Sequence, residues 1–262
     1  MARKLNNNLK KELLSGRYSK ILEYVKKDPE LTIEVRMNSE AKIYYKKCLI
    51  LTLSSNHEPK KLAKGYYEKT VLPEPSLDLN HPDQYFKESK QLVLIKGKYG
   101  EFSIQQSIAD SNKTKNNKYF IVDMEYAIPQ RKIKKDERLP YSRIDLVGIE
   151  NDTNNIILFE LKYGAGALEG DSGVKDHYEK MNKLLENDYF QNTIKQDVKN
   201  IIQDKIDLGL IDYSLPRTLN DIKMMFIYAY NSEEELLEYK DHYSKEIENV
   251  ETIYIDTRYI LK

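Results

Sequence analysis

The stretch RIDLVGIENDTNNIILFELK, residues 143 to 162, constrains the fold of this chain more than any other. Two runs of β-branched and aliphatic residues flank NDTNN, a cluster of Asn, Asp and Thr that favours a turn, so the stretch reads as two strands in a hairpin. If Glu150 and Asn155 bracket the turn, Asp145 falls opposite Glu160. Glu160 and Lys162 stand two apart and therefore share a face of their strand. A half-buried strand rarely ends in two carboxylates and an ammonium, because each buried charge is costly unless paired or bound to metal. The concentration of charge marks a candidate site.

Metal-assisted attack on a phosphodiester suits these residue types. Mg²⁺ takes oxygen ligands, usually keeps several waters, and is held by one or two carboxylates together with a phosphate oxygen. Lys162 beside the carboxylates can orient a water or neutralise charge developing on the phosphoryl oxygens. The plainer reading makes Glu160 and Lys162 a surface face and Asp145 a solvated acid near a strand end.

On Asp145 and the run Glu160, Leu161, Lys162, the sequence resembles the PD-(D/E)XK phosphodiesterase superfamily, the restriction-endonuclease-like nucleases. It departs from that signature at Ile144, where the superfamily's name has Pro. The resemblance implies an α/β fold, a restriction-endonuclease-like mixed central sheet flanked by helices. It also implies a Mg²⁺ cofactor, with Mn²⁺ as an alternative, and nucleic acid as substrate, DNA before RNA. Asp145, Glu160 and Lys162 take the catalytic positions, with Asp145 and Glu160 as metal ligands. Glu101 resembles the additional acid that the helix before the first core strand supplies to the metal site, and so is a third candidate metal ligand, with Gln105 one turn further on its face. His177, near the start of the helix after the Glu-x-Lys strand, resembles an accessory polar residue. Many members of the superfamily dimerise, so a homodimer is possible on this resemblance.

The rest of the chain supplies context. In its 262 residues Lys and Arg balance Asp and Glu at 42 each, so contact with a polyanion must come from local basic clusters rather than bulk charge. With no apolar run long enough to span a membrane and no secretory leader, the expectation is a cytoplasmic protein without membrane contact. The single cysteine, Cys48, excludes a disulfide framework. Residues 3 to 27 read as two short helices, and LTIEVRMN with KIYYKKCLILTLS as a small antiparallel sheet. A proline-rich irregular connection follows, so the expected division is an N-terminal α+β accessory region, 1–83, and a nuclease-like domain, 84–262.

Within the second part, residues 84 to 112 read as a helix with a break near Gly97 to Gly100, and KYFIVDMEYAIPQ as a strand with Asp123 and Glu125 on one face. Glu125 is thus a candidate to approach Asp145, or else an outward-facing acid. Arg143, two before Asp145, can pair with a carboxylate or reach a phosphate. The Lys- and Arg-rich connection QRKIKKDERLPYS is a candidate phosphate-contacting loop. One helix is expected over about 174 to 205, a buried strand at IKMMFIYAY, a helix opened by Ser232 with Glu235 in a capping box, and a last strand at VETIYIDTRYI. The alternative to a nuclease is a catalytically inactive module of the same fold that binds nucleic acid or a protein partner.

Overall fold

The computed structural model describes residues 3–97, 100–128, 143–164, 167–170, 173–247 and 249–257. The chain divides into two compact units, one of Met1–Gln106 with Lys199–Tyr213, the other of Ser107–Val198 with Ser214–Lys262. Residue 83, the boundary expected from composition, opens a helix inside the first unit.

The first unit begins with helices α1 (Asn7–Leu14) and α2 (Ser19–Lys27). The Asn6 side chain caps α1 by accepting from the Leu9 N–H at 2.7 Å. Strands β1 (Leu31–Arg36), β2 (Glu40–Tyr45) and β3 (Cys48–Ser54) form an antiparallel sheet in that order. KIYYKKCLILTLS therefore holds two strands. Lys46 and Lys47 make the two-residue turn between them with φ of 47° and 61°, a left-handed pair that usually calls for Asn-Gly. Helix α3 (Asp83–Lys96) ends at Gly97, left-handed at φ 63°, and α4 (Gly100–Ser111) follows, so the expected break is where the glycines are.

The second unit holds a five-stranded mixed sheet in the order β4 (Tyr119–Ala127), β5 (Arg143–Glu150), β6 (Asn155–Tyr163), β7 (Ile222–Tyr230), β8 (Thr252–Asp256). β4–β5 and β5–β6 are antiparallel; β6–β7 and β7–β8 are parallel. A parallel pair needs a crossover. Helices α5 (Val174–Leu185) and α6 (Asp188–Asp207) supply the first, and α7 (Glu233–Glu238) with a following π-turn the second. The single helix expected over 174 to 205 is thus two. Asn187 stops the first and caps the next, its side chain accepting from Phe190 N–H at 3.0 Å. The architecture is mixed α/β, with helices flanking a mixed sheet and a separate antiparallel one. Among the described residues no helix is long and apolar enough to cross a membrane.

β6 is the middle strand and is buried from Asn155 to Lys162, so both its faces are covered. Its neighbour β5 carries Gly148 because nothing larger fits. A Cβ there would lie 3.0 Å from the Phe120 carbonyl oxygen and 3.0 Å from the Phe159 ring. Gly148→Ala is expected to destabilise the protein by about 1–3 kcal/mol through overpacking, read as a lower urea midpoint.

Candidate active site

The β5–β6 ladder runs from Glu150↔Asn155 to Leu146↔Phe159, the register expected from the turn. The next position in that register sets Asp145 against Glu160. There a side chain takes over from the ladder: Asp145 Oδ2 accepts a hydrogen bond from the Leu161 N–H at 2.9 Å. This bond fixes the Asp145 carboxylate beside the backbone that carries Glu160 and Lys162.

Glu160 and Lys162 are 3% and 4% exposed, which removes the reading of a surface face. The Lys162 ammonium donates to Glu160 Oε1 at 3.1 Å. His177, in the first turn of α5, brings its Nδ1 against the same oxygen and 2.9 Å from Lys162 Nζ. One imidazole nitrogen cannot donate to Glu160 and accept from Lys162 together, so the tautomer of His177 decides which neighbour it bonds. A carboxylate, an ammonium and an imidazole thus meet at the C-terminal end of the central strand.

A third acid stands at the same level of the sheet. In the β4–β5 ladder Met124 pairs with Leu146 and Tyr126 with Ile144, so Glu125 falls between them, level with Asp145. Glu125 has φ 57°, a left-handed conformation that costs a side-chain-bearing residue about 1–3 kcal/mol and tends to gather at functional sites. Its carboxylate is ion-paired with the Arg143 guanidinium, whose side chain is 61% exposed. The simple alternation that put Asp123 and Glu125 on one face is broken twice, by a register shift between Ile121 and Asp123 and by the turn of Glu125 itself. Asp123 is fully buried rather than outward-facing.

Glu101 and Gln105 lie on the part of α4 that belongs to the first unit, and Gln105 is buried there. The basic connection at 130–142 lies outside the described residues.

The sequence reading missed the tyrosines behind the ammonium. Tyr228 is the register partner of Lys162 on β7, and its ring stacks on Tyr239 at 4.2 Å. The signal was available in the spacing of IYAY, since Tyr228 and Tyr230 share a strand face with the acid-bearing end of β6. Burial pushes the hydroxyls of Tyr228 and Tyr239 up to about 12, and that of Tyr85 in the first unit likewise. The folded chain therefore keeps phenolic protons that the unfolded chain releases near pH 10. Stability from these residues is full below about pH 10 and falls as the pH rises towards 12. A phenolate absorbance titration is expected to show them ionising only together with unfolding.

Among the described residues no group of three His, Cys, Asp or Glu side chains is gathered for a metal ion. The donor set nonetheless fits a partly hydrated Mg²⁺ or Mn²⁺, which needs only one or two carboxylates, and does not fit the nitrogen- and sulfur-rich shell of structural zinc. Asp145 Oδ2 accepts from Leu161 N–H and Glu160 Oε1 from Lys162 Nζ, so each carboxylate is held in place at the end of β6.

No protein-family model, curated protein or solved structure matches this chain.

Proposed function

We propose that the chain is a divalent-metal-dependent nuclease of the PD-(D/E)XK, restriction-endonuclease-like class, hydrolysing phosphodiester bonds of nucleic acid, DNA before RNA. The observation that carries the reading is the buried Glu160–Lys162 pair beside Asp145, at the end of the central strand of a mixed sheet. A buried charge cluster of this kind is expensive for a scaffold and useful to an enzyme. The mixed sheet, with two antiparallel pairings followed by two parallel ones and helices at the crossovers, supports the reading.

Asp145 and Glu160 would hold the ion, which when bound polarises the phosphoryl group and acidifies a water. Asp145 is aimed by its bond from Leu161 N–H. Lys162 is held by Glu160 on the same face, where its ammonium meets negative charge that grows on the phosphoryl oxygens in the transition state. Arg143, two residues before Asp145 and largely exposed, can take a neighbouring phosphate, with Glu125 setting the guanidinium.

The test is cleavage of labelled single- and double-stranded DNA and RNA in Mg²⁺ or Mn²⁺, with Asp145→Asn as control. The asparagine oxygen can still accept from Leu161 N–H, so the variant keeps the fold while losing the charge. Cleavage by the wild type and none by the variant is the expected result; equal cleavage by both removes the site. One observation favours a second reading, an inactive module of the same fold. Glu160 Oε1 is already engaged by Lys162 and His177, and retention of nucleic acid without metal uptake would select that alternative.

A further inference from the structure

The face of the five-stranded sheet away from Glu160 and Lys162 carries the alternate residues of the same strands, since Phe159 precedes Glu160 on β6 and Ile227 precedes Tyr228 on β7. Between this face and the last turns of α4 lies a cavity of about 500 Å³, and its described lining belongs to the second unit alone. Its floor is apolar, made of Ile121, Phe159, Met225, Ile227, Ile253 and Ile255, and Ile108 closes it from the helix. The polar lining is placed differently. Lys118 and Glu251 immediately precede β4 and β8, strands that run in the same direction and so enter the sheet from the same end. Lys118 Nζ stands 4.9 Å from the centre of the Tyr119 ring and 3.7 Å from Glu150 Oε1. Its contact with Tyr119 and the nearby carboxylates of Glu150 and Glu251 raise its pKa and keep it a cation.

Water in such a space finds hydrogen-bonding partners only at the rim, and a hollow left unfilled forfeits packing on every wall. The backbone groups of β6 and β7 are spent in their ladders, so a guest polypeptide would bury N–H and C=O groups with nothing to meet them. The walls therefore suit a hydrocarbon body. At the rim, Glu251 opposes an anionic end group and Lys118 a cationic one, whereas a hydroxyl or carbonyl bonds to either without like-charge repulsion. The volume falls within the range of about 300–1,000 Å³ usual for small-molecule sites.

We propose that this cavity is a binding site for one small uncharged molecule with a hydrocarbon body and a hydroxyl or carbonyl at one end, seated with that end at Lys118 and Glu251. The body lies between Ile108 on the helix and the isoleucines of β8, with the Phe159 ring below it. The site lies behind the sheet from Glu160 and Lys162 and shares no side chain with them.

The proposal does not rest on the nuclease reading and is tested on the full chain without metal or nucleic acid. Prodan, an uncharged naphthalene with a carbonyl at one end, is expected to bind one per chain, its fluorescence brightening and shifting to the blue. Decanol is expected to displace it. Decanoate and decylammonium should each displace it at least about 10-fold less well, because each brings its charge up to a like charge at the rim. Ile253→Trp fills the cavity from the sheet and Ser111→Trp from the helix, so each is expected to abolish uptake with an unchanged circular-dichroism spectrum. Where one of the two fails to fold, the other decides. Glu251→Gln should raise the competition from decanoate. Prodan fluorescence that does not change, uptake that survives tryptophan in a folded variant, or decanoate that displaces prodan from the wild type as well as decanol does would overturn the proposal.

Discussion

Lys162→Met is expected to slow phosphodiester cleavage by about 10²–10³-fold, the usual consequence of deleting one donor that faces transition-state charge. The same variant should bind a nucleic-acid oligomer nearly as well as the wild type, because Arg143 and the basic connection are untouched. It should also be less stable. Glu160 is 3% exposed, and removing its ammonium leaves a buried carboxylate short of a counter-charge. Breaking one side of such a pair commonly costs about 3–5 kcal/mol, and the remaining contact with His177 should bring this towards the lower end. The double variant Glu160→Gln, Lys162→Met should regain most of that stability while recovering no activity. Urea denaturation of the four proteins in the cycle separates the two effects. A pair kept for folding alone would instead show cleavage following stability.

The second large effect is expected far along the chain from these residues. Lys205 Nζ lies 2.7 Å from Glu34 Oε2, with side chains 6% and 2% exposed, and so ties the last turns of α6 to β1 within the first unit. Lys205→Met removes the ammonium from beside a buried carboxylate and should destabilise the protein by about 3–5 kcal/mol. Lys205→Arg, which keeps the charge but not the compact ammonium, should fall between. Thermal denaturation by circular dichroism is the measurement, and an unchanged midpoint in Lys205→Met would show that water reaches the pair.

Much of the β5–β6 hairpin was legible in the residues. NDTNN marks the turn and the period of two sets the faces, so the turn length fixes the register. The Asp145–Glu160 level of the sheet follows from that register. The break between α5 and α6 was not legible from periodicity, because the apolar repeat runs through it and only the Asn187 side chain closes it. The Lys46–Lys47 turn was hidden because lysines seldom adopt two left-handed conformations in a row. Glu125 shows the same limit, since its position depends on a left-handed backbone that its residue type does not announce. His177 could be placed at a helix start, but its contact with both Glu160 and Lys162 is a tertiary one that helical spacing alone does not announce.

The claim beneath the proposed chemistry is that Asp145 and Glu160 hold one divalent cation between them. Mn²⁺ binding followed by calorimetry on the wild type, Asp145→Asn and Glu160→Gln tests it most directly, with no need to know the substrate. One saturable Mn²⁺ per chain, weakened at least about 10-fold by either substitution, is the expected result. Binding that neither substitution disturbs, or no binding by the wild type, would contradict it.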